Sequence, residues 1–371
     1  MNLKKNFHNK TVIVIGHTGF KGSWLSLWLR ILGAKVVGLS INIPSKPSHF
    51  EVIKLRNKIS HKRIDIRNLK LLKKNFKKHQ PDYVFHLAAQ SLVKKSYSDP
   101  IYTWQTNTIG TLNVLESLKE LKKRCIAVII TSDKIYRNLE IKRGYKENDI
   151  LGGKDPYSAS KASAELAIQS HISSFFPQKK TKVLIGIARA GNVIGGGDWS
   201  QDRLIPDCVK SWSKNKKVLI RNPKSTRPWQ HVLEAVGGYL IFAANIKKNK
   251  KLHGEAFNFG PSNSNNYQVI RLVKLMKKYW KKISWKVVNK NKKKFHESNL
   301  LKLNCNKAKT YLEWKSILSF NETIYMTAKW YKNYYSQPKK IYETSFDHIK
   351  EYEKLLKKRL LKKLKIFQKK I

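Results

Sequence analysis

The feature that most constrains this chain is an apolar run, TVIVIG (11–16), that opens directly into GHTGFKG and then SWLSLWLRIL. A short run with no polar face reads as a buried strand of a parallel sheet, flanked on both sides by helices. Gly16, Gly19 and Gly22 stand at GxxGxxG spacing between that strand and the helix, with His17, Thr18 and Phe20 completing the loop. Glycine there permits a tight turn and lets the backbone approach a pyrophosphate at the helix N-terminus. Spacing alone is weak; spacing between a first strand and a first helix predicts a dinucleotide site.

The alternation continues. AKVVGLS, DYVFHLAA, CIAVIITS and KVLIGIAR (182–189) read as strands, with helices through 69–76, 103–122 and 158–174. This order predicts an α/β fold, a Rossmann-type doubly wound parallel sheet, with residues 1–188 as its dinucleotide-binding part. After residue 188 loops, Trp and Asn become commoner and strand signals scatter, as in AFNFG (256–260). Residues 189–345 therefore read as a smaller mixed α/β substrate-binding subdomain, with some strands interleaved with the first part. Residues 346–371 read as a lysine-rich, solvated helix.

Composition excludes several classes. No apolar run approaches the roughly 18 residues of a membrane span, and the basic N-terminus lacks a secretory leader pattern. Cys125, Cys208 and Cys305 are odd in number and far apart, which speaks against a disulfide framework or a CxxC metal site. Free thiols fit a reducing cytoplasm. The formal net charge of +52 is extreme, and a positive field recruits polyanions. Yet the lysines are spread along the chain without aromatic interleaving or zinc-finger spacing, so they read as a solvated surface and not as a specific nucleic-acid site.

Candidate chemistry clusters in the first half. The second strand ends without the acid that usually binds the adenosine ribose, which leaves NAD and NADP both open. Asp65 and Ile66, in RIDIRN, stand where an adenine contact is expected. Leu87, Ala88, Ala89 and Gln90 end the next strand, where small residues let the backbone pass a ribose. Tyr157 and Lys161 are four apart on a helix and share a face. A cationic lysine there is expected to lower the phenol's pKa, so that Tyr157 takes a proton from a substrate hydroxyl. Ser132 ends the preceding strand and completes a Ser/Tyr/Lys set. Asp133 and Lys134 follow it; simple dehydrogenation does not need them, but an elimination does.

Together these residues resemble the extended short-chain dehydrogenase/reductase family, and within it the CDP-glucose 4,6-dehydratases. The resemblance covers roughly residues 6–340. It rests on GHTGFKGSWLSLWL (16–29), PSKPSHFE (44–51), HLAAQSLVKKSY (86–97), TNTIGT (106–111), TSDKIY (131–136) and DPYSASKASAE (155–165). RAGNVIGGGDW (189–199), DRLIPD (202–207), RPWQHVLE (227–234) and HESNLLKLNCNKA (296–308) extend it. The resemblance implies NAD as cofactor, CDP-glucose as substrate, a homodimer and a role in O-antigen-type polysaccharide synthesis. It implies oxidation at C4 with Tyr157 as base, loss of water across C5 and C6 with Asp133 and Lys134 as acid/base pair, and return of hydride to C6. Gln90, Asn192, the Gly195–Gly197 loop, Arg203, Arg227, Trp229, His231, His296 and Glu297 fall on the substrate side, with Asn304 where an Asp is common.

Two rival readings remain. One is another nucleotide-sugar epimerase or a dTDP- or GDP-sugar dehydratase, against which Lys134 stands where those dehydratases carry Glu. The other is a basic, non-catalytic binding protein, against which the intact Ser132, Tyr157 and Lys161 speak.

Overall fold

The computed structural model describes residues 2–141, 143–220, 222–261, 267–280, 283–288 and 301–368, with side chains as far as residue 358. Seven strands form one parallel sheet: β1 (Thr11–Ile15), β2 (Lys35–Ser40), β3 (Ser60–Arg63), β4 (Tyr83–His86), β5 (Cys125–Ile130), β6 (Val183–Ala190) and, much later in the chain, Ala256–Phe259. Between these last two lie β7 (Val193–Ile194), β8 (Val218–Ile220), β9 (Thr226–Arg227) and β10 (Gln230–His231), so Ala256–Phe259 is β11. β12 (Tyr267–Gln268) and β13 (Trp285–Val287) complete the set. The sheet order is β11-β6-β5-β4-β1-β2-β3. It reverses between β1 and β4, where doubly wound sheets open a crevice at their carboxyl ends.

Strand alternation divides the core into two layers. Val12, Val14, Tyr83, Phe85 and Val128 pack with Trp24, Trp28 and Val236 on one face. Ile13, Ile15, Val84 and Ile129 pack with Leu115, Leu118 and Ile168 on the other. The second half of the chain returns to this sheet: β11 pairs with β6, Ala256 opposite Ile187, and the buried helix Val232–Lys248 lies in the first layer. The small pairs β7/β10, β8/β13 and β9/β12 make up the rest of its strand structure.

Two expectations change. The helix expected over 103–122 is broken into Pro100–Trp104, a π-turn at Gln105–Ile109, and Gly110–Leu118. The wider turn delivers Asn107, whose side chain accepts from Gln90 N (2.9 Å) and donates to Gln90 O (3.1 Å) and Ser160 Oγ (3.0 Å). Such π-turns collect at functional sites. The terminal helix begins at Ile341 and its first turns are not solvated: Ser345, His348, Ile349 and Tyr352 are buried. Their spacing forms one helical face. Tyr352 donates to Glu234 (2.9 Å), and Trp28 Nε1 donates to Glu353 (2.9 Å), which ties the helix to the core. Among the described residues no helix is long and apolar enough to cross a membrane.

Candidate active site

At the crevice lies a cleft of about 1190 Å³, larger than the few hundred to 1,000 Å³ or so that holds one small ligand. Its first wall is the glycine loop. Gly16 has φ +89°, and a Cβ there would sit 2.6 Å from Ala88 N; a Cβ on Gly22 would overlap the Gly16 carbonyl. The loop can therefore close on Ala88 only with glycine at these positions. The following helix, Phe20–Ile31, starts at Gly19 with no side-chain cap, leaving its first N–H groups for an anion. Thr18, Phe20, Asp65, Ile66, Leu87, Ala88 and Ala89 line the same space. The residues present thus fit a dinucleotide.

His17 does not belong to that set. Its ring turns away from the cleft, packs where a Cβ on Gly38 would be, and bonds Ser40 Oγ (2.9 Å) and His61 Nδ1 (2.7 Å). Burial, then the neighbouring His61, holds its pKa down to about 3, so it is neutral. The motif spacing specifies the backbone of the loop and leaves the direction of each side chain open.

The second wall carries the Ser132–Lys134 turn and Tyr157. Ser132 caps the short turn Asp133–Ile135: its hydroxyl donates to Asp133 Oδ1 (3.0 Å) and accepts from Lys134 N (3.2 Å). Ser132, Asp133, Lys134 and Tyr157 all line the cleft. Asp133 is buried, which raises its carboxyl pKa, while Lys134 and the Ser132 hydroxyl pull it back. Lys134 is exposed. Asp155 caps the helix Pro156–Phe175 in a reciprocal box with Ser158 and so fixes where Tyr157 emerges.

The expected activation of Tyr157 is not what the free site provides. Burial pushes the phenol above its ordinary range; the Ser132 hydroxyl lowers it and the Asp133 carboxylate raises it further. Lys161, one turn on, is buried behind the cleft lining. Burial and then the charge of Lys21 bring its pKa down to about 7. A lysine near half protonation cannot depress a phenol as a full cation would.

Lys21 is a residue that sequence reasoning passed over. It lines the cleft, and burial, followed by the Arg203 charge, lowers its pKa to about 8 while Asp133 raises it. The signal was present, as a charged side chain inside an otherwise apolar or glycine-rich loop.

Of the residues expected to hold substrate, Gln90, Asn192, Arg203, Arg227 and Trp229 line the cleft. Asn192 holds φ +33°, Arg203 pairs with Asp198 (3.1 Å), and Trp229 stacks on Phe320. His231 is not part of this wall: it is buried and caps the helix Val232–Lys248 through Leu233 N. Gly195 lines the cleft, but Gly196 and Gly197 face inward, where side chains would strike Trp330 and His49. Those two glycines serve packing and not a diphosphate. His296 and Glu297 lie outside the described residues. No metal-binding cluster occurs among the described residues.

Behind the wall runs a buried ion pair. Arg189 Nε donates to Glu165 Oε1 (2.9 Å), and Nη2 donates to the same oxygen. Thr131 Oγ1 donates to Glu165 Oε2 (3.0 Å), and Arg189 Nη1 donates to Tyr136 (2.7 Å) and to Glu147 O (2.8 Å). It joins β5, β6 and the Tyr157 helix directly below Ser132.

Comparison with known proteins places this architecture. The family model described as GDP-mannose 4,6 dehydratase matches residues 13–327. The chain belongs to this family. A CDP-glucose 4,6-dehydratase of Salmonella typhimurium is 44% identical over 335 residues, covering 89% of this chain and 93% of the relative. A dTDP-glucose 4,6-dehydratase of Haemophilus influenzae is 26% identical, covering 86% of this chain and 97% of its own. Among solved structures, an epimerase of Methanothermobacter thermautotrophicus superposes with TM-score 0.77 at 25% identity, covering 92% of this chain and 97% of that one. The match thus extends across both halves of the chain.

Proposed function

We propose that this protein converts CDP-glucose to CDP-4-keto-6-deoxyglucose and water, with NAD held in the glycine cradle. The observation that carries the reading is the convergence of Ser132, Asp133, Lys134 and Tyr157 on one cleft that also contains the glycine loop. Bound NAD would take two electrons and a proton equivalent from C4 and return them to C6, so the net redox change is zero.

The chain's own groups do the rest. Tyr157 accepts the C4 hydroxyl proton, with Ser132 orienting that hydroxyl. An anionic ligand in the cleft beside Lys21 raises the Lys21 pKa and offsets the Lys21 charge that holds Lys161 down, because opposite charge favours the cation. The restored Lys161 cation then favours the Tyr157 phenolate, which the free site does not. Once C4 is a ketone, the C5 proton is acidic. Asp133 and Lys134 share its removal and the protonation of the departing C6 hydroxyl; the raised carboxyl pKa of Asp133 suits it to carry a proton. Arg203 and Arg227 offer charge-assisted bonds to a diphosphate, and Trp229 offers a face to a base or sugar. The exposed Ile101, Trp104, Ile109 and Leu166, on and beside the π-turn and on the Tyr157 helix, support a homodimer built on these helices.

Identity of 44% with a CDP-glucose enzyme, together with Lys134 after Asp133, supports CDP over dTDP or GDP. Purified protein with NAD and CDP-, dTDP- or GDP-hexoses, GDP-mannose included, followed by ketone formation, tests this. Turnover of CDP-glucose alone or in large excess is expected; preference for a dTDP- or GDP-hexose overturns the substrate assignment.

A further inference from the structure

The Asp133 carboxylate occupies the space that any side chain at position 191 would need. A Cβ built on Gly191 would overlap Asp133 Oδ2 and Cγ and lie 2.6 Å from Oδ1. Gly191 is not among the glycines with positive φ, so its backbone does not demand glycine. The demand is steric, and it comes from one carboxylate.

The backbone of neither partner is free to retreat. Behind Gly191, the buried Gln230 donates through Nε2 to Gly191 O (3.2 Å) and Phe259 O (2.8 Å), and Gln230 N donates to Asn192 O (3.2 Å). Asp133 opens a turn anchored by the buried Ile135 and Tyr136, and its Oδ1 is held by Ser132. The side left open is the cleft, toward Lys21 and Lys134. A methyl group at 191 would displace the carboxylate into the cleft and disturb its bond from Ser132.

We propose that Gly191 is a positioning residue that seats Asp133 for the elimination step, so that Gly191→Ala impairs dehydration and spares oxidation at C4. This rests on the reading that Asp133 serves the elimination. Full-length Gly191→Ala, Asp133→Asn and the double variant, each with NAD and CDP-glucose, are compared in single turnover for reduced nicotinamide and for dehydrated product. Gly191→Ala is expected to accumulate reduced nicotinamide while product release slows about 10- to 100-fold. The double variant is expected to be no slower than Asp133→Asn, since residues acting through one group are non-additive. Additive losses, equal loss of both half-reactions, or wild-type turnover of Gly191→Ala would overturn the proposal. If Gly191→Ala lowers the thermal midpoint, Asp133→Ala/Gly191→Ala should return it to that of Asp133→Ala, because the clash is gone; failure to do so overturns it as well. A fully active Asp133→Asn variant instead removes the reading of Asp133 on which the proposal stands.

Discussion

Glu165→Leu should be among the most destabilising single substitutions in this chain. Glu165 is fully buried and Arg189 is 1% exposed. Removing the carboxylate leaves a guanidinium in the interior with two of its donors unpaired, and leaves Thr131 Oγ1 without its acceptor. Breaking one side of a buried pair costs about 3–5 kcal/mol. With an unfolding entropy of about 2.1 cal/mol/K per residue, 371 residues correspond to about 0.8 kcal/mol per kelvin. The thermal midpoint should therefore fall by about 4–6 °C, read by circular dichroism on the dinucleotide-free protein. Glu165→Leu/Arg189→Met should recover much of that loss, because no uncompensated charge remains. A shift under about 1 °C, or a double variant less stable than Glu165→Leu, would refute the reasoning.

Tyr157→Phe should lower formation of the 4-keto product by about 10²–10⁴-fold while dinucleotide affinity changes little; calorimetric titration beside the rate assay checks both halves. Gly22→Ala should fold yet lose dinucleotide binding by at least about 100-fold, since its Cβ would overlap the Gly16 carbonyl; near-normal affinity in the same titration contradicts the cradle. Lys161 has a folded pKa of about 7 against an ordinary value near 10.5. The folded state therefore binds fewer protons than the unfolded chain between those values, and Lys161 makes stability rise with pH across that window. The penalty is complete below pH 7. Lys161→Met should flatten that rise in urea midpoints measured from pH 7 to 10; parallel curves for the two proteins would contradict it.

Much of this molecule is legible in its sequence because fully buried strands and glycine turns leave strong patterns. β1, β4, β5 and β6 are mostly apolar and fully or almost fully buried, and the Gly16–Gly22 spacing marks the turn that joins β1 to its helix. β3 is not legible: Ser60–Arg63 is a polar, largely exposed edge strand, held by backbone bonds to β2 on one side alone. The π-turn at Gln105–Ile109 is hidden for a related reason, since an extra residue in a helix does not disturb apolar periodicity over one turn. Site backbones were read better than site side chains. His17 and His231 occupy motif positions but turn into the core, where Ser40 and His61 bond both ring nitrogens of His17 and Leu233 N donates to His231 Nδ1. Gly191 gave no signal, because its reason for being glycine lies on another strand's end. The buried Glu165–Arg189 pair was likewise invisible, since 24 residues separate its members and only the fold brings them together.

The decisive measurement follows a label through the reaction. With CDP-glucose carrying deuterium at C4 and unlabelled NAD, mass spectrometry and NMR of the product should find that deuterium on the new C6 methyl within the same sugar. One solvent hydrogen should enter at C5. Product lacking deuterium at C6, or a 4-epimer that has kept its C6 hydroxyl, would contradict a dehydratase that oxidises, eliminates and reduces one sugar in one cleft.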